Sequence, residues 1–374
     1  VFDNIARSPD VDVREDMTET ITAINDEFRL LTEDIGDTEA FSHDLDVLVL
    51  SVWGDNYAWR PWGNRVLWHL TDLPVRVRFD SYLKVADKGI PEGTDVVFLY
   101  GLPNTAWSGG RHWAGGQVAA TLEAYVHRGG GLVALQAPGV VGTDWGLSSL
   151  LGVALAGEIG PTPIRINPSE LADVADEGED LPPGQEGLRQ TRAGATHWLG
   201  QGLPSVLPGL RDSVPVRVVA VDVVTLAARV GSDDYGRTPG AVAREAGAGR
   251  VVYCCGYSSD DAFSRLIRNA IFWAANAESE ADRLAVDRNG LFVYAYPSKS
   301  LLAVHNGHPE AVTTRLQCDL AIFGIPAGKP CVLRDVVTGV EHRVSGPELA
   351  RGTEVTVPPN AVGLWRVTVG DAAD

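Results

Sequence analysis

Short apolar runs alternate with helical segments in the first part of the chain, and this alternation constrains the fold more than any other feature. Four runs have the length and composition of buried strands: residues 46–52, 75–79, 95–100 and 132–135. Helical segments are predicted between them, at residues 64–72, 81–88 and 116–128. Because strands joined by helices lie parallel in one sheet, we predict a βαβαβ unit with helices on both faces.

A turn rich in glycine and small polar residues follows the third predicted strand, in the stretch DVVFLYGLPNTAWSGGRHWAGG at residues 95–116. A helix N-terminus favours an anion or a sugar hydroxyl, and four residues can present backbone N–H groups there: Thr105, Ser108, Gly109 and Gly110. Trp107 and Trp113 flank the turn, and their rings suit stacking on a sugar. The alternative is a strand-to-helix turn that holds no ligand and uses both tryptophans for packing.

An aromatic cluster follows the first predicted strand, in the sequence WGDNYAWRPW at residues 53–62. Ligands of open parallel sheets bind outside the carboxyl ends of the strands, so the cluster lies where a site is expected. Trp53, Asp55, Asn56 and Arg60 offer an apolar ring, hydrogen-bond acceptors and a cation, which suit a carbohydrate. Packing of the cluster against a neighbouring domain is the alternative, and the sequence leaves both open.

Charge and composition argue against several classes of function. The net charge is −18 at pH 7, which argues against a nucleic-acid partner and against binding to an anionic membrane. No run of about 18 apolar residues is present, so no transmembrane helix is predicted. The 4 cysteines have no CxxC or Cys/His spacing typical of zinc, so no metal site is predicted. We expect all four to be reduced and mostly buried, in a cytoplasmic protein.

Changes in composition divide the chain into three predicted segments. Residues 1–44 are expected to form a leading helical linker. Residues 45–278 form the α/β domain that contains the strands described above. Residues 282–371 contain short strand-like runs separated by turns, without helices between them, which predicts a small antiparallel β-sandwich.

The second half of the predicted α/β domain is less regular. Residues 147–213 are rich in glycine, proline and acidic side chains, which predicts an insertion or an irregular surface region in which His197 is structural. Further elements are predicted after it: strands at 214–221 and 224–230, a hairpin from 241–245 and 250–255, and a closing helix at 261–277. The acidic pairs Asp233–Asp234 and Asp260–Asp261 are interpreted as turn and N-cap residues.

The order of these elements resembles the class I glutamine amidotransferase-like (flavodoxin-like) fold. Active members of that fold carry a cysteine nucleophile on the sharp turn after the strand that follows GGG. The corresponding sequence here is LVALQAPG, where Gln136 or Ala137 occupies that position. His127 and His112 cannot replace a missing thiolate, so the resemblance implies a domain without amidotransferase chemistry.

Three motifs together resemble the C-terminal half of the 1,3-β-galactosyl-N-acetylhexosamine phosphorylase (lacto-N-biose phosphorylase) family. The first is VLSVWGDNYAWRPW, and the second is TAWSGGRHW, which is close to a TAWSGG loop of that family. The third runs from GRVVYCCGYS through RNAIFWAA to LLAVHNG and NAVGLWRV. The resemblance covers roughly residues 20–370.

The resemblance implies a cytoplasmic, homodimeric hexosyltransferase that cleaves a β-galactosyl bond with inorganic phosphate and inverts the anomeric centre to give α-galactose 1-phosphate. The family's general acid is an Asp on an N-terminal (β/α)8 barrel, which we expect to be missing from this sequence. No catalytic residue is therefore assigned, and the chain alone is expected to be inactive. No cofactor is expected besides phosphate as co-substrate.

Substrate binding is assigned to two groups of residues on this resemblance. Phosphate must be held by cations and backbone N–H groups, and the candidates that would face the missing barrel are Thr105, Trp107, Ser108, Gly109, Gly110, Trp53, Asp55 and Arg60. The acceptor sugar is left open between N-acetylglucosamine, N-acetylgalactosamine and rhamnose. The alternative function is a non-catalytic oligomerisation or scaffold module of a galactosidase-like enzyme.

Overall fold

A computed structural model of the chain describes residues 38–51, 66–67, 69–70, 73–105, 108–157, 166–172, 185–231, 238–288 and 290–370. Its strands in chain order, β1 to β21, are Asp46–Ser51, Arg76–Ser81, Val96–Gly101, Gly131–Gln136, Val140–Val141, Asp144–Trp145, Val153–Leu155, Gly187–Gln190, Val206–Pro208, Val216–Val218, Val224–Val230, Thr238–Ala246, Gly249–Cys254, Leu284–Val286, Leu291–Tyr296, Leu301–Asn306, Val312–Cys318, Pro330–Asp335, Glu341–Ser345, Thr353–Val357 and Ala361–Val369. Its helices, α1 to α7, are Tyr82–Lys88, Gln117–His127, Ser148–Leu151, Arg192–Thr196, Asp261–Ala274, Glu278–Ala281 and Gly346–Arg351.

One large mixed sheet has the order β2-β1-β3-β4-β13-β12-β11-β8-β9 within the described residues. The first five strands in this order run parallel. The remaining strands continue the sheet as antiparallel neighbours. The four strands predicted from the apolar runs are confirmed as β1 to β4, and the predicted hairpin is confirmed by the pairing of β12 with β13. Assignment of this sheet to the glutamine amidotransferase-like fold stays a prediction.

The centre of the sheet forms the main hydrophobic core. β3 and β4 are buried along their whole length, as expected of central parallel strands. The predicted helix at 116–128 is confirmed as α2, whose buried face consists of Val118, Leu122, Tyr125 and Val126. The predicted closing helix is confirmed as α5, and the carboxylate of Asp260 caps it by accepting a hydrogen bond from the N–H of Ala262 at 2.8 Å.

The prediction of an irregular surface region at residues 147–213 is wrong for the described part of that segment. It contains α3, β7, β8, α4 and β9, and both β8 and β9 belong to the large sheet. These strands are only three or four residues long, so they carry no hydrophobic period that could be read from sequence. The strand predicted at 214–221 is also shorter, since β10 spans Val216–Val218 and pairs with β7 outside the large sheet.

The C-terminal segment contains two antiparallel sheets, with the orders β14-β17-β20 and β15-β16-β21-β18-β19 in the described residues. One hydrophobic cluster joins them, because Leu316 from β17 packs with Leu302 from β16 and Trp365 from β21. A smaller cluster of Leu45, Phe272 and Ala281 lies in the α/β part. The boundaries 1–44, 45–278 and 282–371 stay predictions.

Several sequence-based predictions concern other parts of the chain. All four cysteines are free and buried, as predicted. In the described part of the chain, every helix is too short or too polar to cross a membrane. Residues 1–37 of the predicted helical linker, the cluster around Trp53 and the pair Asp233–Asp234 lie outside the described residues. Residues 38–44 of that linker are described and are not helical, so the helix prediction is wrong for them.

Candidate functional site

The carboxyl ends of the parallel strands meet at one edge of the large sheet, which we call the carboxyl edge. β3 ends there at Gly101, β4 at Gln136 and β13 at Cys254. The turn predicted to bind a ligand follows β3, so it lies at the edge where open α/β sheets bind ligands. We call the described residues 102–105 and 108–116 the β3 loop.

The hydroxyl groups of the β3 loop bond to the loop itself. The hydroxyl of Thr105 donates a hydrogen bond to the carbonyl oxygen of Leu102 at 2.8 Å. The hydroxyl of Ser108 donates to the carbonyl oxygen of Thr105 at 2.9 Å, and Ser108 is 0% exposed. Thr105 is half-buried, and its hydroxyl oxygen keeps acceptor capacity. The Ser108 side chain therefore fixes the shape of the loop and does not reach solvent.

Glycine is required in and beside this loop because the backbone passes very close to other groups. Gly109 has φ 94°, and a Cβ there would lie 2.3 Å from Nε1 of Trp113. Gly101 has φ 139°, and a Cβ there would lie 2.7 Å from the backbone nitrogen of Ser108. Gly110 also has a positive φ, of 45°. Of the two glycines predicted to approach a ligand, Gly109 thus has a packing role, whereas a Cβ on Gly110 would meet only the carbonyl oxygen of Thr105 at 3.6 Å.

Trp113 lies inside the protein and not on its surface. Its indole N–H donates a hydrogen bond to the carbonyl oxygen of Ser108, and its ring centroid lies 5.4 Å from that of Tyr82. A Cβ on Gly139 would lie 3.2 Å from the same indole ring. The stacking role predicted for Trp113 is therefore wrong, and the packing alternative is confirmed for this residue. Trp107, Trp53, Asp55 and Arg60 lie outside the described residues.

The turn after β4 holds the β3 loop in place. The N–H of Ala137 donates to the carbonyl oxygen of Gly101 at 2.9 Å, and the N–H of Gly139 donates to that of Ser108 at 3.3 Å. Asn104 completes the attachment through two side-chain bonds to Gly142, as its Nδ2 donates to the carbonyl oxygen at 3.1 Å and its Oδ1 accepts from the N–H at 2.5 Å. The loop is thus a fixed backbone surface at the carboxyl edge.

Gln136 is the last residue of β4 and begins the turn that the sequence compares with the nucleophile position of amidotransferases. Its φ is 68°, a value uncommon outside glycine, and the residue is 4% exposed. Its Nε2 donates to the carbonyl oxygen of Asp212 at 3.4 Å. Asp212 belongs to residues 209–214, which we call the crossing segment, because it passes over the carboxyl edge. The turn is therefore covered by protein.

Backbone hydrogen bonds attach the crossing segment to neighbouring strands. The N–H of Leu210 donates to the carbonyl oxygen of Glu186 at 2.9 Å, and the N–H of Val214 donates to that of Cys255 at 2.8 Å. A buried ion pair lies beneath it, where Nη2 of Arg229 is 2.6 Å from Oε1 of Glu186. Ser213 joins the pair by donating to Oε2 of Glu186 at 2.6 Å.

The thiols at this edge are poor nucleophiles. Burial raises the pKa of the Cys254 thiol to about 12. Burial also raises the pKa of Cys255 well above its usual range, and the neighbouring Cys254 adds to this effect. Only the thiolate attacks a substrate, so neither cysteine supplies the nucleophile that is missing at Gln136.

Several carboxyl groups of the α/β part have structural partners. Burial is the main cause of a raised pKa at Asp95. Asp95 precedes β3, so it lies at the opposite edge, where its Oδ2 accepts a hydrogen bond from the N–H of Asp46 at 2.8 Å. Asp260 caps α5, and Asp80 forms an ion pair with Lys84 at 2.7 Å.

Residues that sequence reasoning missed include the crossing segment and the Arg229–Glu186 pair. No local pattern identifies them, because both act through contacts between residues that are far apart in the chain. His197, in contrast, is structural as predicted, since its Nδ1 accepts a hydrogen bond from the N–H of Leu199 at 3.2 Å.

Comparison with known proteins finds similarity to one family of phosphorylases. Residues 46–159 match the model of the lacto-N-biose phosphorylase central domain. The chain is 25% identical over 316 residues to a 1,3-β-galactosyl-N-acetylhexosamine phosphorylase of Lachnoclostridium phytofermentans, covering 79% of this chain and 39% of the relative. It is 26% identical over 333 residues to a 1,3-β-galactosyl-N-acetylhexosamine phosphorylase of Bifidobacterium longum, covering 80% of this chain and 42% of the relative. The chain thus spans about two-fifths of the length of these curated relatives.

Among solved structures, a β-galactosidase from Bacillus circulans sp. alkalophilus is similar, with a TM-score of 0.45 and 17% sequence identity. The match covers 91% of this chain and 43% of the β-galactosidase. The resemblance to the 1,3-β-galactosyl-N-acetylhexosamine phosphorylase family that the sequence motifs indicate is confirmed by the domain match at residues 46–159 and by these two relatives.

Proposed function

We propose that this chain is the central and C-terminal part of a glycoside phosphorylase that cleaves a β-galactosyl-N-acetylhexosamine with inorganic phosphate. The reaction inverts the anomeric centre and gives α-galactose 1-phosphate. The observation that carries this proposal is the match of residues 46–159 to the lacto-N-biose phosphorylase central domain. Similarity to the two phosphorylases over 79% and 80% of the chain supports it.

In this proposal the proton donor belongs to another polypeptide segment. An inverting phosphorylase needs one carboxylic acid, because phosphate takes the place of the second carboxylate. The contacts of the described carboxyl groups support this division, since Asp95 lies at the opposite edge of the sheet, Asp260 caps α5 and Asp80 forms an ion pair with Lys84. The cover over Gln136 and the buried thiols also favour a non-catalytic role for this α/β part.

The proposed contribution of this part is a rigid surface that shapes the active-site mouth. The β3 loop would present the half-buried Thr105 and the half-buried backbone of Gly110 towards substrate and phosphate, whereas Gly109 is buried and would support the loop from within. Ser108 would act as a positioning residue through its bond to Thr105. Trp107, Trp53, Asp55 and Arg60 complete the proposed lining. Local donors are needed because the net charge of −18 repels phosphate at long range.

The test compares the chain alone with the chain joined to the preceding region of the Bifidobacterium longum relative. Each protein is incubated with lacto-N-biose and phosphate, and galactose 1-phosphate is measured. We expect no product from the chain alone and product from the joined protein. Product from the chain alone would contradict the proposal, as would an inactive joined protein whose circular dichroism shows that it is folded.

A second candidate function is a non-catalytic oligomerisation module, and two exposed apolar side chains favour it. Phe79 in β2 is 45% exposed, and Leu83 in α1 is 64% exposed. β2 lies at the end of the strand order of the large sheet, where a second chain has access. Sedimentation of the chain and of a Phe79→Ser/Leu83→Ser variant tests this function. A homodimer that the double variant dissociates supports the module, whereas a monomeric wild-type chain excludes it.

A further inference from the structure

Two arginines at the carboxyl edge have side chains without a protein partner. Arg111 belongs to the β3 loop and Arg211 to the crossing segment, and both side chains are exposed. Within the described ranges, neither guanidinium forms an ion pair or a hydrogen bond. The buried Arg229 differs, because Oε1 of Glu186 lies 2.6 Å from its Nη2. Arg111 and Arg211 therefore keep their guanidinium N–H donors for a ligand.

One turn holds both of these elements in place. The N–H of Gly139, in the turn after β4, donates to the carbonyl oxygen of Ser108 at 3.3 Å and so attaches the β3 loop. Nε2 of Gln136, at the start of the same turn, donates to the carbonyl oxygen of Asp212 at 3.4 Å and so attaches the crossing segment. The two arginines are three residues and one residue away from these attachment points. Both are thus placed beside a single turn of the carboxyl edge.

The backbone of each arginine is fixed by hydrogen bonds. The carbonyl oxygen of Arg111 accepts a hydrogen bond from the N–H of Ala114 at 3.1 Å, next to the buried Trp113. Arg211 forms two backbone bonds with Tyr257, as its N–H donates at 2.7 Å and its carbonyl oxygen accepts at 3.3 Å. Tyr257 is buried. Since little backbone freedom is left to lose on binding, both positions are suited to hold a ligand.

The charges around this turn determine how an anion can bind there. The chain has a net charge of −18, and the exposed carboxylates of Asp144 and Asp212 add negative charge near the turn. In the part of the chain that the structure describes, neither carboxylate forms an ion pair with Arg111 or Arg211. Binding of an anion therefore depends on direct hydrogen bonds from the guanidinium groups and not on a diffuse positive field. Planar guanidinium groups form such paired bonds with phosphate oxygens.

We propose that Arg111 and Arg211 together bind the phosphate co-substrate of the reaction proposed above. The inference rests on the proposed function for the identity of the anion. Two guanidinium groups match the charge of a phosphate dianion and supply the cations that its binding requires. Sequence alone does not indicate the pair, because nothing local places the crossing segment beside the β3 loop.

Titration of the chain itself with inorganic phosphate tests the pair without the catalytic reaction. In protein made with isotope-labelled arginine, NMR follows the Nε–H signals of Arg111 and Arg211, with chloride keeping the ionic strength constant. Arg111→Gln and Arg211→Gln assign the two signals. We expect both to shift with one Kd in the millimolar range, because two charge-assisted contacts act without the rest of the site. Absence of a phosphate-specific shift in either signal would overturn the proposal.

Loss of one arginine should weaken the whole site. We expect Arg111→Gln to raise the Kd measured at Arg211 about tenfold, because charge-assisted hydrogen bonds are lost. The matched control is Arg128→Gln, which removes an exposed arginine between α2 and β4, at the opposite edge of the sheet. An unchanged Kd at Arg211 in the Arg111→Gln variant would show that the two residues do not share one phosphate.

Kinetics of the joined protein relate the site to the reaction. We expect Arg211→Gln to raise the KM for phosphate about tenfold, with much smaller changes in kcat and in the KM for lacto-N-biose. Arg128→Gln should resemble the wild type. A KM for phosphate that neither Arg111→Gln nor Arg211→Gln changes would contradict the inference. An inactive joined wild-type protein would instead contradict the proposed function, and the titration would still decide whether the two arginines bind phosphate.

Discussion

The indole N–H of Trp113 donates a hydrogen bond to the carbonyl oxygen of Ser108, and this bond connects the buried ring to the loop at the carboxyl edge. The same ring fills the space beside Gly109 and Gly139. Trp113 is itself a residue of the β3 loop, and its buried ring supports the backbone of that loop. Any ligand that binds this loop meets a backbone whose course depends on Trp113.

Replacement of Trp113 by phenylalanine should destabilise the protein. The variant keeps an aromatic ring but loses the indole N–H and part of the packing volume, so we expect the free energy of unfolding to fall by about 2 kcal/mol. Urea denaturation measures this loss. Leu83→Ala is the control, because Leu83 is exposed and its loss should change the free energy by less than about 0.5 kcal/mol. Equal stability of the Trp113 variant and the control would contradict the packing role.

Gly109 can be tested against a glycine with a similar backbone. In Gly109→Ala, the positive φ of 94° and a Cβ at 2.3 Å from Nε1 of Trp113 both oppose the folded state. Gly324 has φ 70° and ψ 16°, in the same left-handed region as Gly109, but a Cβ there would meet no atom within 4 Å, so Gly324→Ala reports the backbone strain alone. We expect about 1 kcal/mol of destabilisation in Gly324→Ala and at least about twice that in Gly109→Ala. Thermal denaturation of the two variants gives the difference, and equal losses would exclude a steric role for Gly109.

The centre of the sheet could be predicted from sequence because its signals are local. β3 and β4 are continuous apolar runs, and α2 has its buried residues at helical spacing. In contrast, β8 and β9 are too short to show a period, and their place in the large sheet depends on the pairing of β8 with β9 and with β11.

Prediction of the site failed where long-range contacts decide the outcome. Trp113 looks like a ligand-stacking residue in the sequence, because nothing local indicates that Gly139 packs against its ring. The bond between Gln136 and Asp212 joins residues 76 positions apart, so the cover over the turn has no sequence signature. The roles of Trp53, Asp55, Arg60 and Trp107 stay predictions.

Glu186 should be important for stability because its partner is buried. Arg229 is 3% exposed, and removal of Glu186 leaves its charge without the carboxylate. Since the Glu186 side chain is 30% exposed, water compensates in part, and we expect Glu186→Ala to cost about 2–3 kcal/mol. The control is Glu245→Ala, whose carboxylate is 74% exposed and lies 3.8 Å from Arg250. Urea denaturation should show a loss below about 0.5 kcal/mol for the control, and a similar value for Glu186→Ala would contradict the role of the ion pair.

His43 should make the stability of the protein depend on pH between about 6.5 and 4. Its ring lies 5.0 Å from those of Phe41 and Phe272, and neither ring nitrogen has a hydrogen-bond partner in the described structure. Burial lowers its pKa from 6.5 to about 4, and Arg268 and Arg283 contribute to the decrease. The unfolded chain therefore binds the proton more tightly than the folded chain.

The consequence of this pKa difference can be measured with one substitution. As pH falls below 6.5, the His43 side chain becomes protonated in the unfolded state while it stays largely neutral in the folded state. The contribution of His43 to stability therefore declines by about 3 kcal/mol on reaching pH 4. His43→Leu removes the titrating group and keeps an apolar side chain between the two phenylalanine rings. We expect the stability difference between the variant and the wild type to shift in favour of the variant as pH is lowered from 7 to 4. His69 is present in both proteins, so its own lowered pKa cancels in the comparison. A difference that does not change with pH in urea denaturation would show that His43 titrates normally in the folded protein.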